Sequence, residues 1–257
     1  MLLALDIGNT NIHVGIFENN NLKATFMLGS DSFRSGDEYA FTLKALIEAN
    51  EISLKELDSS IVGSVSPDKT SKLCYAVKKI TGLSSLVVGP GVKTGFQIKL
   101  DDPSELGADL VANSAGVISE IGSPAIIVDF GTATTVSCIS KEKAYAGCYI
   151  MPGIQMSLNA LNETGLLPSV IADKTFPVIG KNSQDSMRAG VIFGTVLATE
   201  GFIDTFKKEL DLPKTTPVIV TGGFAEQFIT YFNLKVKHIP SLTLKGLNVI
   251  YSLNNKK

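Results

Sequence analysis

The chain opens on an apolar run, Leu2 to Leu5, that stops at Asp6-Ile7-Gly8-Asn9-Thr10. Apolar positions then alternate through Ile12, Val14, Ile16 and Phe17, pause at Asn19-Asn20-Asn21, and resume from Leu22 to Leu28. Alternation broken by Gly- and Asn-rich turns predicts three consecutive strands, a β-meander. The spacing changes at Tyr39 to Asn50, where Leu43, Leu46 and Ile47 share one helical face. A buried strand over 60–65, a helix over 71–81 with Leu73, Val77 and Ile80 inward, and a strand over 85–88 follow.

The pattern then begins again. Ala125-Ile126-Ile127-Val128 is an apolar strand that meets Asp129-Phe130-Gly131-Thr132-Ala133-Thr134-Thr135. Strands are expected over 136–139 and 144–150, with Lys141-Glu142-Lys143 as the turn between them. Helices are expected over about 153–162 and 184–210. A strand over 217–220 leads into Thr221-Gly222-Gly223 and a helix running to Phe232. Strand, Asp-x-Gly turn, strand thus occurs at residue 6 and again at residue 129, which points to duplicated α/β units and not to a solenoid. The break at Ile121-Gly122-Ser123-Pro124 suggests domains of 1–118 and 119–257.

The repeated turn has a use in chemistry. Glycine lets the backbone turn sharply and approach a ligand. Successive N–H groups and threonine hydroxyls can then donate to phosphate oxygens. A carboxylate at the end of the strand can hold Mg²⁺ directly or through water. Two such turns would grip a phosphate chain from both sides, as phosphoryl transfer requires. A single Asp/Gly/Asn turn would read as an ordinary hairpin; two copies, each after a buried strand, favour phosphate. Thr221-Gly222-Gly223, between a strand and a helix, could let a flat adenosine ring lie close to the backbone, or could simply start the helix.

Composition narrows the field. Hydrophobic residues are 44% and charged residues 19% of 257, a globular balance with room for two linked cores. The net charge of −2 and the lack of a basic block argue against nucleic acid. No apolar run of spanning length and no secretory leader are apparent, so a cytoplasmic protein with no membrane partner is expected. Cys74, Cys138 and Cys148 read as reduced, mostly structural thiols. A P-loop and a G-x-S-x-G elbow are missing. Gly89-Pro90-Gly91-Val92-Lys93-Thr94-Gly95 has the wrong spacing for a dinucleotide turn and reads as a connecting loop.

As a set, these segments resemble the acetate kinase, sugar kinase, Hsp70 and actin superfamily, and within it the type III pantothenate kinases. The matching segments are Asp6-Ile7-Gly8-Asn9-Thr10, Gly107-Ala108-Asp109-Leu110, Asp129 to Thr135, Gly147-Cys148-Tyr149-Ile150-Met151-Pro152-Gly153 and Thr221-Gly222-Gly223. The resemblance implies two ribonuclease-H-like (actin-like) domains, each a mixed five-stranded sheet flanked by helices. It implies ATP, Mg²⁺, a monovalent cation (K⁺ or NH₄⁺) and a homodimer. The implied reaction is phosphorylation of pantothenate, the first step towards coenzyme A. Asp109 would be the general base, although it also suits the N-cap of a helix starting at Leu110. Asp6 would orient Mg²⁺ through water, and Asp129 would sit by the monovalent cation. Gly8, Asn9, Thr10, Gly131, Thr132, Thr221, Gly222 and Gly223 would bind ATP. Leu100, Gly107, Ala108, Leu110 and Ser183 would line the acceptor site.

The chain also departs from the pattern. Leu110 stands where the family has an arginine suited to a carboxylate. Leu100 stands where many members have tyrosine, and Gly165 where alanine is usual, while Thr164 is retained. Lys93, Lys99 and Arg188 are substitute cations by segment only. A kinase of another small alcohol (a sugar, polyol or nucleoside) and a non-catalytic regulator therefore stand beside the pantothenate reading. Retention of Asp6, Asp109 and Asp129 argues against the regulator.

Overall fold

A computed structural model describes residues 1–163, 165–172 and 176–255; Thr164 lies outside them. In chain order the elements are β1 (Leu2–Ile7), β2 (Asn11–Glu18), β3 (Asn21–Gly29), α1 (Gly36–Ala49), β4 (Ser59–Ser64), α2 (Pro67–Thr81), β5 (Leu86–Val87), β6 (Gln97–Ile98), α3 (Ala108–Glu120), β7 (Ala125–Phe130), β8 (Ala133–Ile139), β9 (Ala144–Pro152), α4 (Ile154–Asn162), α5 (Ser183–Glu209), β10 (Val218–Thr221), α6 (Ala225–Phe228), β11 (Lys237–His238) and α7 (Leu242–Asn254).

They form two compact units. The first holds Met1–Phe96, Asp101–Glu120 and Leu242–Lys257, and the second Gln97–Leu100 and Ile121–Ser241. The chain enters the second unit briefly at Gln97–Leu100 and again after Glu120, and it leaves it at Leu242, so the units are not the two continuous halves 1–118 and 119–257. The last segment returns to the first unit because the apolar face of α7 is buried there: Leu244, Leu247 and Ile250 pack with Ala4, Ile61, Val111 and Ala115.

The first unit has a five-stranded sheet in the order β3-β2-β1-β4-β5. Strand β1 is antiparallel to β2 and parallel to β4. Its near-continuous apolar run follows from burial on both faces. Leu3, Leu5 and Ile7 join one core with α1 and α2, while Leu2 and Ala4 join another with α3 and α7. Helix α1 starts earlier than its apolar spacing suggests, because Ser35 and Glu38 form a capping box (Glu38 N to Ser35 Oγ 3.2 Å; Ser35 N to Glu38 Oε2 2.7 Å).

The second sheet runs β11-β10-β7-β8-β9-β6. From β9 through β8, β7 and β10 to β11 it repeats the first sheet strand for strand, with the same two antiparallel and two parallel pairings. The duplicated turn is therefore a duplicated sheet. The expected five strands are six here, since β6 adds in parallel beside β9 through Gln97 N to Lys143 O (3.3 Å) and Lys99 N to Tyr145 O (3.0 Å). The helix expected to run to Phe232 is shorter: α6 ends at Phe228 and a 3₁₀ turn covers Ile229–Tyr231.

Helix α5, 27 residues, is long and apolar enough by length and composition alone to cross a membrane, where no run of spanning length is expected from the sequence. Its buried positions include Met187, Ile192, Val196, Ile203 and Phe206.

Candidate active site

The first turn, Gly8 to Thr10, joins β1 to β2 and leaves Asn9 and Thr10 exposed. Three successive carbonyls of this turn are tied down. Ser30 Oγ donates to Gly8 O (2.7 Å), Lys69 Nζ to Asn9 O (2.9 Å), and Ser30 N to Thr10 O (2.9 Å). A trans peptide points its N–H away from its C=O. With the Gly8 and Asn9 carbonyls bound to Ser30 and Lys69, the N–H groups of the same two peptides, those of Asn9 and Thr10, each point away from that carbonyl's partner. Successive backbone N–H groups in a turn are donors suited to an anion.

Asp6 is the penultimate residue of β1 and faces Gly63 of β4 in register. Gly63 in turn lies under α3: a Cβ there would meet Ala108 Cβ at 3.8 Å and Leu247 Cδ2 at 3.0 Å. The start of α3 thus lies within contact range of the strand end that carries Asp6, and the missing side chain gives room to Leu247 of α7. Helix α3 is also pressed closely onto α7, where a Cβ on Gly116 would meet Leu242 O at 3.0 Å and one on Gly246 would run into the backbone of Ala112.

Helix α3 begins at Ala108, so Asp109 lies inside its first turn and does not cap a helix starting at Leu110. Burial pushes the Asp109 carboxyl above the usual carboxylate range, while the backbone N–H groups of Leu110 and Asp109 pull it the other way. The carboxylate folds back over Gly107, where a Cβ would lie 2.5 Å from Asp109 Oδ1. Leu110 is buried on the same helix. The first unit thus gathers Asp6, Gly8, Asn9 and Thr10 on one turn and Gly107 to Leu110 at one helix start.

In the second unit Asp129 is the penultimate residue of β7, paired with Thr135 of β8 and Thr221 of β10. Gly222, at φ +97°, packs on it, with its absent Cβ position 2.5 Å from Asp129 Oδ1 and 2.6 Å from the Phe130 backbone. Thr132 is exposed and its carbonyl accepts from Gly153 N (3.1 Å). Gly153 leaves no room for a side chain, which would run into that carbonyl. Asp129, Gly131, Thr132 and Thr221 to Gly223 are therefore one local group. Thr221 is buried in β10, so Gly222 and Gly223 carry the accessible surface of that segment.

Ser183 starts α5 behind its cap, where Asn182 Oδ1 accepts from Asp185 N (2.9 Å). It lines an open groove of ≈ 610 Å³ with Leu161, Leu167, Lys181 and Met187. Leu100 is half-buried just after β6. Arg188 is engaged with Asp185 (3.3 Å) and with Ile171 O (3.2 Å).

The profile of the type III pantothenate kinase family matches residues 2–205. The chain belongs to that family. A type III pantothenate kinase from Bacillus cytotoxicus is 40% identical over 255 residues, covering 99% of this chain and 97% of that protein. The solved structure of a Baf family protein from Campylobacter jejuni superposes with a TM-score of 0.61 at 19% identity, over 98% of both chains. That of the ethanolamine utilization protein EutJ from Carboxydothermus hydrogenoformans gives 0.56 at 18%, over 96% of this chain and 89% of that one. At such identities the structural likeness speaks for the fold alone, and it agrees with the paired actin-like sheets.

Family motifs do not point to Lys69 or Ser30. Lys69 stands in an otherwise ordinary amphipathic segment, and Ser30 sits between a strand and a helix. Their one local signal is a lysine close behind Ser66-Pro67, a helix start, where a cation is electrostatically out of place.

Proposed function

We propose that this protein transfers the γ-phosphoryl group of ATP to the primary hydroxyl of pantothenate, giving 4′-phosphopantothenate and ADP. Family membership supports the reaction. The observation that carries the mechanism is the part-buried Asp109 carboxylate at the start of α3, set over the strand end that bears Asp6.

In this reading the Asn9 and Thr10 N–H groups and the Thr10 and Thr132 hydroxyls hold phosphate oxygens, and Gly222 and Gly223 let the adenosine lie close to β10. Gly107, Ala108, Leu110, Leu100 and Ser183 bound the acceptor. Asp109 accepts the hydroxyl proton as the acceptor oxygen bonds to the γ-phosphorus and the bond to the bridging oxygen of ADP breaks. Its raised affinity for protons suits that task.

Among the described residues no group of three His, Cys, Asp or Glu side chains could hold a metal. Mg²⁺ commonly takes one or two carboxylates and completes its shell with water and substrate phosphates. Asp6 would hold it through water; when bound, it supplies positive charge to the phosphates. Asp129, with Gly222 packed on its carboxylate, would hold the monovalent cation, K⁺ or NH₄⁺. Family resemblance supports a homodimer, and three free cysteines support a reducing, cytoplasmic setting.

One observation favours a second reading. Leu110 is a buried apolar side chain at the family's arginine position, so a pantothenate carboxylate would need another cation. A neutral acceptor, such as a sugar, polyol or nucleoside, would not.

The test is ADP release and product mass with purified protein, ATP, Mg²⁺ and a potassium salt, against pantothenate and a panel of neutral alcohols. Pantothenate-dependent product that disappears with Asp109→Asn supports the first reading. Turnover of a neutral alcohol with none of pantothenate would replace it with the second.

A further inference from the structure

Lys69 is 7% exposed, yet no ion pair is formed by it among the described residues. Asp68, next to it in sequence, is engaged by Lys72 at 2.9 Å. A buried ammonium without a counter-charge is costly. Its place in the first turn of α2 adds to the cost, because a helix N-terminus already carries partial positive charge. What the side chain gains in return is one hydrogen bond, to Asn9 O at 2.9 Å.

The second unit shows that this bond does not need a cation. Aligning Asp6-Ile7-Gly8-Asn9 with Asp129-Phe130-Gly131-Thr132 sets Asn9 against Thr132. The Thr132 carbonyl accepts from a neutral donor, the backbone N–H of Gly153, at 3.1 Å. The same carbonyl of the first turn is held by a buried charge. A charge there is explained by an anion that comes to the turn.

We infer that Lys69 is a positioning residue for the nucleotide phosphates: seated on the Asn9 carbonyl, it fixes the first turn with its N–H groups presented and gives it positive charge. This rests on the ATP reading above, and the experiment separates the two. ATP, ADP and adenosine binding would be measured by calorimetry on the full chain and on Lys69→Met, which keeps length and apolar volume, with steady-state kinetics and thermal melting alongside.

The expected result is an affinity for ATP and ADP weakened by about tenfold or more, the scale of a hydrogen bond to a charged group. Adenosine binding stays as in the wild type. KM for ATP rises in parallel, while KM for the acceptor stays within about twofold, and the melting temperature holds or rises because a buried charge has been removed. Lys69→Gln, a donor without charge, should fall between the two and serves if the methionine variant does not fold. Wild-type nucleotide affinity in both folded variants would overturn the inference alone. A wild-type protein that binds no ATP would sink the ATP reading and this inference with it.

Discussion

The carboxylate of Asp109 rests against Gly107: a Cβ built on that glycine would lie 2.5 Å from Asp109 Oδ1. The obstructed atom is the end of a side chain, not backbone, so the helix can stay while the carboxylate swings away. Gly107→Ala is expected to fold with a melting temperature close to wild type and to lose turnover by roughly 10²-fold, the scale of misplacing a general base. Circular dichroism melts with an ADP-release assay check both halves. Unimpaired turnover would detach Asp109 from the chemistry.

Asp109 itself gives a prediction with a sign. Burial raises its proton affinity in the folded state, so the fold favours the neutral acid. Stability from this group is present at low pH and lost as pH rises from the unfolded aspartate value, about 3.9, through the raised folded value. Asp109→Asn cannot ionise. It should melt at or above the wild-type temperature at neutral pH, with the difference fading below about pH 4, and lose activity by about 10²–10⁴-fold. In the wild type, the acid limb of kcat/KM should lie above the ordinary carboxylate range.

Gly246 tests the role of α7. Alanine would gain about 1 kcal/mol of helix propensity. Its Cβ, however, would run into the Ala112 backbone, which cannot rotate aside. Overpacking should win, at about 1–3 kcal/mol net destabilisation. Chemical denaturation of Gly246→Ala measures this, and a stabilised variant would contradict the close α3–α7 contact.

The thiols differ in reactivity. Cys138 is buried in β8, and burial pushes its pKa up to about 12. Native protein treated with iodoacetamide near neutral pH should leave Cys138 unmodified by peptide mass mapping, with alkylation there only after denaturation.

Much of the molecule could be read along the chain. The two Asp-x-Gly turns and their flanking strands are local: alternation sets a strand, glycine and asparagine set the turn, and each copy reports independently. Helices α4 and α5 were also legible to within a residue at each end. Helix α7 was missed as an element, although Leu244, Leu247 and Ile250 carry a helical spacing. Strand β6 is two residues long, too short for any periodicity to declare it.

The sequence by itself determined the duplicated turns, the family and the residue types that can handle phosphate and a proton. Those follow from short-range pattern and side-chain chemistry. Only the tertiary structure decided that the final helix returns to the first unit, that Gly246 lets α7 press onto α3 and Gly63 lets Leu247 of α7 reach β4, and that Gly107 makes room for the Asp109 carboxylate. It also brought Lys69 to Asn9 across 60 residues of chain. These depend on backbones packing close where a side chain is missing, and on a buried charge finding an acceptor far away in sequence. Neither leaves a periodic trace along the chain.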